Sequence, residues 1–265
     1  MAEAPATAAG ERIAKVMARA GLCSRREAER WIAEGRVTVD GKVIDSPALN
    51  VGPDATITVD GQKLPGREPT RLFRFHKPTG VLVTRNDPQG RPTLFDGLPP
   101  ELPRVIAVGR LDFNSEGLIL LTNDGGLARR LELPATGWTR RYRVRAYGAV
   151  DPAALADLAK GIRIDGIDYG PIEARLERQT GRNAWIAMAL KEGKNREVRR
   201  VLEHLGLTVN RLIRVAFGPF QLGALPVGAI VEVPGKIVRE QMGREQMGGE
   251  PQGQRPPKRH RGRAG

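Results

Sequence analysis

Apolar residues in this chain recur first at helical spacing and then at strand spacing, and the change falls near residue 60. Between Glu11 and Ala20, Ile13, Val16, Met17 and Ala20 share one side of a helix, with Arg12, Lys15 and Arg19 on another. Gly21 follows as a natural C′ residue. Ser24-Arg25-Arg26-Glu27 reads as a capping box opening a second helix. In that helix Ala28, Trp31 and Ile32 face inward, and Arg26 and Arg30 lie on the exposed side. Val37-Thr38-Val39 and Lys42-Val43-Ile44, joined by Asp40-Gly41, carry a hairpin signal. Residues 11–60 therefore predict a small α/β unit, followed by a linker over 61–70.

Residues 71–234 read as strands with interspersed helices, an α+β domain around a mixed, largely antiparallel sheet. Arg71 to Phe75 and Val81 to Thr84 are expected strands flanking the turn Lys77-Pro78-Thr79-Gly80. Val105 to Val108 and Leu118 to Leu121 enclose a short polar loop. Arg141 to Tyr147 alternates arginine with Tyr142, Val144 and Ala146, which predicts an edge-accessible strand with one basic face. Pro152 to Lys160 and Asn195 to Leu205 read as helices, and Ala184 to Leu190 as a strand. Residues 1–10 are small and polar. Residues 235–265 are dominated by glycine, glutamine, proline and arginine; both ends are expected to be disordered, the second as a basic arm.

Charge narrows the partners. The net charge is +13, and the last 31 residues hold eight Lys/Arg against three Glu, so the excess extends through the rest of the chain. A polyanion is the expected partner. No apolar run approaches the ~20 residues of a membrane span, and the N-terminus lacks the pattern of a secretory signal. One cysteine, Cys23, suits a reducing compartment, and the three scattered histidines offer no zinc spacing. These features predict a cytoplasmic, monomeric, nucleic-acid-binding protein without metal, small-molecule cofactor or membrane partner.

The loop Gly109-Arg110-Leu111-Asp112-Phe113-Asn114-Ser115-Glu116-Gly117 sets a carboxylate beside an arginine between two strands. Loops on a rigid sheet hold reactive groups still while presenting them. A lone loop aspartate also commonly caps a turn, and on the loop alone the two readings stand level.

Other stretches separate them. The Asp112 loop resembles the catalytic motif of the RsuA/RluB-type pseudouridine synthases, which isomerise uridine in ribosomal RNA. Arg140-Arg141-Tyr142-Arg143-Val144 is similar to their second motif, and Glu192-Gly193-Lys194-Asn195-Arg196-Glu197-Val198-Arg199-Arg200 to their third. Arg85 to Thr93 and Asn210 to Val215, leading into Gly218-Pro219, resemble further family stretches, so the likeness spans roughly residues 11–234 in the expected order. Arg12 to Ile44 resembles the S4 RNA-binding module, although eight basic residues meet seven acidic ones between residues 11 and 58, so placement rather than sum supports RNA binding. Phe113 stands where valine is commoner in the family.

The resemblance implies a cofactor-free uridine isomerase acting on ribosomal RNA, of the large-subunit (23S) type by the wording around Arg85 and Asn195. It implies Asp112 as the catalytic carboxylate, Tyr142 as a ring against the uracil, and Arg199 as the guanidinium paired with Asp112. Helical geometry puts Arg199 at the border of the inward stripe formed by Val198, Val201, Leu202 and Leu205, where its head can reach a site. Arg110 is read as filling the place of an extruded nucleotide. Lys77, Arg196 and Arg200 are read as RNA-backbone contacts, and Arg12, Lys15, Arg19, Arg25, Arg26 and Arg30 as the basic face of the S4-like module. Alternatives are a small-subunit (16S) enzyme and a non-catalytic RNA-binding ribosome-assembly protein. Asp112 separates the last from the others.

Overall fold

The structure is a computed structural model that describes residues 10–66, 68–133 and 137–242. The expectations for residues 1–9 and 243–265 lie outside the described residues.

The first unit is built as its caps and periodicity require. Helix α1 (Ile13–Arg19) ends before Gly21, which has φ +80°. Helix α2 (Arg25–Ala33) opens on the Ser24/Glu27 capping box: the Glu27 N–H donates to Ser24 Oγ at 3.1 Å, and the Ser24 N–H donates to Glu27 Oε2 at 2.7 Å. Ile13, Met17, Ala28 and Ile32 pack against Val37, Ile57 and Val59 of a four-stranded antiparallel sheet. The hairpin forms with Thr38 opposite Val43. Gln62–Lys63 pairs with Ile57–Val59, so this unit runs past residue 60, where the linker was expected to begin.

The second unit is a nine-stranded sheet. Its strands are β1 (Leu72–Lys77), β2 (Ile106–Val108), β3 (Glu116–Thr122), β4 (Arg140–Tyr147), β5 (Ile172–Thr180), β6 (Asn183–Leu190), β7 (Thr208–Phe217), β8 (Phe220–Gln221) and β9 (Ile230–Glu232). The order is β5-β6-β4-β7-β3-β1-β9, with β2 on β3 and β8 on β7. All pairs are antiparallel except β3 with β7, where Ile213 lies opposite Glu116 and Arg214 opposite Gly117. Helices α3 (Gly125–Glu132), α4 (Pro152–Asp157) and α5 (Glu197–His204) cover the sheet.

Every residue of β3 is buried. Leu118 and Leu120 pack with Leu127, Leu131 and Phe217, and Ile119 and Leu121 with Phe73, Phe75 and Leu94. That two-sided burial explains the unbroken apolar run and anchors the loop that leads into the strand.

Three expectations are corrected. Strand β4 is not at an edge: Tyr142 lies between Met188 of β6 and Arg214 of β7. Its two faces are as expected, Arg141, Arg143 and Arg145 outward and Val144 and Ala146 buried. Val81 to Thr84 makes only a single bridge, Leu82 to Thr93, because Pro92 has no N–H to extend the ladder on one side and Leu94–Gly97 turns into a 3-10 helix on the other. Residues 235–242 form helix α6 (Gly235–Met242), with Val238 buried in the core, so a disordered tail cannot start at 235.

Candidate active site

The Asp112 loop hangs between β2 and β3 and is tied down at almost every carbonyl. Lys77 ends β1 with its side chain wholly buried, and its ammonium donates to the carbonyls of Pro78 (2.9 Å), Asp112 (3.1 Å) and Ser115 (2.9 Å). Arg199, on α5, donates to the Asn114 carbonyl at 2.8 Å and to Val209 at 3.3 Å. Arg214, on β7, donates to Leu118 at 2.7 Å, and its Nη1 lies 3.5 Å from the Arg110 carbonyl. Glu116 at the loop's end pairs with Arg211 at 2.6 Å. At the loop's start the Gly109 N–H donates to Glu132 Oε1 at 2.7 Å. Buried cations remain charged where their donors are satisfied, so here main-chain carbonyls serve in place of carboxylates.

The Asp112 carboxylate stands half-buried in the wall of a cavity of about 660 Å³. Tyr142, Arg110, Arg196, Glu197, Arg214 and Phe217 share that wall. The volume suits a flipped nucleotide. Tyr142 is half-buried and packs against two core clusters, one around Val144 and Leu212 and one around Phe75 and Ile119. Burial pushes the Lys77 ammonium down to about 8, opposed by Asp112 and Glu116. Burial and the neighbouring Arg196 also lower the Arg199 guanidinium, and Asp112 and Glu203 favour its charge.

The residues singled out by sequence separate here. Asp112, Tyr142, Arg110 and Arg196 line one cavity, and Arg200 is exposed outside it. Arg199 sits behind the loop, hydrogen-bonded to the Asn114 carbonyl rather than to the Asp112 carboxylate. Lys77 corrects its assignment outright. A fully buried ammonium held by three carbonyls cannot meet an RNA backbone; it fixes the loop.

Two features were missed. Arg214, only 4% exposed, lines the cavity, and strand parity signals it: position 214 falls on the same face as buried Leu212 and Ala216. The same parity flags Lys77, in phase with Phe73 and Phe75. The second is a carboxyl pair at the start of α5. Glu192 accepts from the Gly170 N–H at 2.6 Å and pairs with Lys194 at 2.5 Å. Glu197 accepts from the Lys194 N–H at 2.7 Å, and burial, reinforced by Glu192, pushes its carboxyl up to about 7. This pair shapes the turn in which Arg196 adopts φ +52° ahead of the helix.

In the first unit Arg12, Arg25, Arg26 and Arg30 are exposed, with Arg30 3.6 Å from Glu34. Lys15, Arg19 and Arg25 face a second cavity of about 620 Å³, whose opposite wall carries Arg85, Arg104 and Arg129 of the larger unit. Glu11 pairs with Lys15 and Arg19, and Glu27 with Arg104. Glu132 lines both this cleft and the Asp112 cavity, so the two are adjoining.

Comparison with known proteins identifies the family and the fold. The S4 domain family model matches residues 11–57, and the RNA pseudouridylate synthase family model matches residues 71–204. An uncharacterized RNA pseudouridine synthase of Rickettsia felis is 47% identical over 230 residues, 87% of this chain and 100% of that protein. Ribosomal large subunit pseudouridine synthase B of Escherichia coli is 45% identical over 230 residues, 84% of this chain and 79% of its own. A crystal structure of a pseudouridylate synthase superposes with a TM-score of 0.60 at 25% identity, covering 86% of this chain and 98% of that one.

Proposed function

The chain belongs to the RNA pseudouridylate synthase family, with an S4 domain ahead of the catalytic fold, and from that premise we propose that it isomerises one uridine of large-subunit (23S) ribosomal RNA, with Asp112 as the catalytic carboxylate. The observation that carries this is the Asp112 side chain facing a nucleotide-sized cavity shared with Tyr142, on a loop whose carbonyls are held by Lys77, Arg199 and Arg214. The large-subunit assignment leans on the 45% identity to ribosomal large subunit pseudouridine synthase B.

Forming pseudouridine breaks the N1–C1′ bond and rejoins the base through C5, so the reaction consumes nothing. It requires an ionised carboxylate at the sugar and surfaces that keep the freed base oriented for recapture. Asp112 supplies the carboxylate, whether it attacks C1′ or removes a ribose proton. Lys77 and Arg199 hold the loop through the Asp112 and Asn114 carbonyls, so their bonds leave the carboxylate oxygens unoccupied. The Tyr142 ring lies against the uracil, where aromatic stacking contributes ~1–3 kcal/mol.

The target must leave its stack to reach the cavity. Exposed Arg110 at the rim fills the space it vacates, and Arg196 meets its phosphate. The adjoining cleft between the S4 domain and the catalytic domain receives flanking phosphates on Lys15, Arg19, Arg25, Arg85, Arg104 and Arg129. Arg12, Arg26 and Arg30 extend that basic surface, and a ribosomal RNA substrate puts the work in the cytoplasm.

The test is pseudouridine mapping of unmodified 23S and 16S transcripts incubated with the wild-type protein and with Asp112→Asn. One new pseudouridine in 23S, abolished by Asp112→Asn while RNA affinity stays within about threefold, is expected. Modification of 16S alone would move the assignment to the small subunit. Undiminished product with Asp112→Asn would remove the aspartate from the chemistry.

A further inference from the structure

Arg214 touches both halves of the site, and none of the three catalytic motifs includes it. It lies on β7 between Gly117 of β3 and Tyr142 of β4 in register. Its guanidinium is 5.4 Å from the Phe217 ring centroid and is almost completely removed from solvent. On the β3 side it donates to the Leu118 carbonyl at 2.7 Å, and it lies 3.5 Å from the Arg110 carbonyl, two residues before Asp112. On the β4 side Tyr142 lies opposite it in register and lines the same cavity, and its nearness favours the guanidinium's charge against burial. Lys77 and Arg199 hold the same loop through its main-chain carbonyls, and neither is paired in register with Tyr142.

We propose that Arg214 is a positioning residue that couples the Asp112 loop to the Tyr142 ring, setting the carboxylate and the aromatic face against the same nucleotide. This rests on the roles given above to Asp112 and Tyr142. The planar guanidinium explains the residue type. Its donors diverge in one plane, so one group holds the Leu118 carbonyl, approaches the Arg110 carbonyl and sits across the strand pairing from Tyr142, whereas an ammonium offers no such fixed fork. A rigid link of this kind matters because displacing a catalytic group by about 1 Å lowers a rate by about 100-fold.

The experiment is a double-mutant cycle on the full chain with an unmodified 23S transcript, reading single-turnover pseudouridine formation, RNA affinity and thermal unfolding. The variants are Arg214→Gln, Tyr142→Phe, the double variant, Arg214→Lys and Asp112→Asn. Arg214→Gln is expected to slow the single-turnover step about 100-fold with RNA affinity within about twofold. Adding Tyr142→Phe should slow it little further, since groups acting as one unit are not additive. Arg214→Lys keeps the charge and should recover only part of the rate. It also supplies the comparison if Arg214→Gln does not fold. Rate losses that multiply in the double variant, or an Arg214→Gln or Arg214→Lys protein with wild-type rate, would overturn the coupling. An active Asp112→Asn protein would instead overturn the reading of the site, and the two failures are therefore distinct.

Discussion

Lys77 and Asp112 are joined through the main chain: the buried ammonium at the end of β1 donates to the Asp112 carbonyl at 3.1 Å and leaves the carboxylate facing the cavity. The charge that steadies the loop is thus kept off the carboxylate oxygens, which the proposed chemistry needs free.

Replacing Lys77 by methionine keeps most of the volume and removes the donors. The carbonyls of Pro78, Asp112 and Ser115 would lose their partner, and an unsatisfied buried group costs ~1–3 kcal/mol. We expect Lys77→Met to lower unfolding free energy by about 3 kcal/mol and to slow pseudouridine formation with little change in RNA affinity. Urea unfolding and single-turnover rates check this. Loss of RNA affinity at an unchanged rate would restore Lys77 as an RNA contact.

Gly117 has φ +107°, and a Cβ there would lie 2.4 Å from the Arg214 carbonyl oxygen. Both the backbone conformation and the parallel contact of β3 with β7 require glycine. Gly117→Ala should destabilise the protein by more than about 3 kcal/mol, read as a lower thermal midpoint. A midpoint within a degree or two of wild type would mean the crossing can open without penalty.

Glu197 gives a pH signature. Its carboxyl is pushed from the usual 4.5 up to about 7, so between those values the folded chain holds a proton that the unfolded chain has lost. Its contribution is complete below pH 4.5 and declines as pH rises through about 7. Glu197→Gln, neutral throughout, should remove that decline, by on the order of 1–2 kcal/mol between pH 5 and 8. Denaturant titrations at several pH values would reveal it. Parallel stability curves for the two proteins would exclude a raised carboxyl.

The cleft between the domains predicts a pure affinity effect. Arg25 and Arg129 face it from opposite walls, away from the residues lining the Asp112 cavity. Reversing both to glutamate should weaken RNA binding at least tenfold at low salt and reduce the salt slope by roughly two, with the single-turnover rate at saturating RNA unchanged. Unaltered affinity would mean that the RNA takes another route.

What the sequence disclosed depended on distance along the chain. Helix α2 announced its capping box, and the Asp112 loop its flanking strands, because both signals lie within a few residues. The central position of β4 did not show, since its partners β6 and β7 come later in the chain and pairing leaves no local mark. Lys77 and Arg214 were misjudged or passed over because residue type was weighed ahead of period: lysine and arginine suggest solvent, but both sit on the buried parity of their strands. Helix α6 was hidden by averaging, as Ile237 and Val238 are two apolar residues in a polar stretch, yet Val238 is buried.

The parallel contact of β3 with β7 has a bearing on biosynthesis. Arg214 and the Arg110 carbonyl are 104 positions apart, and the family model match ends at residue 204, before β7 begins. A nascent chain that has emerged only through the third motif carries its aspartate and tyrosine on an unclosed sheet. The sheet therefore cannot close behind the Asp112 loop before Thr208–Phe217 has been synthesised, since that strand lies between two made long before it.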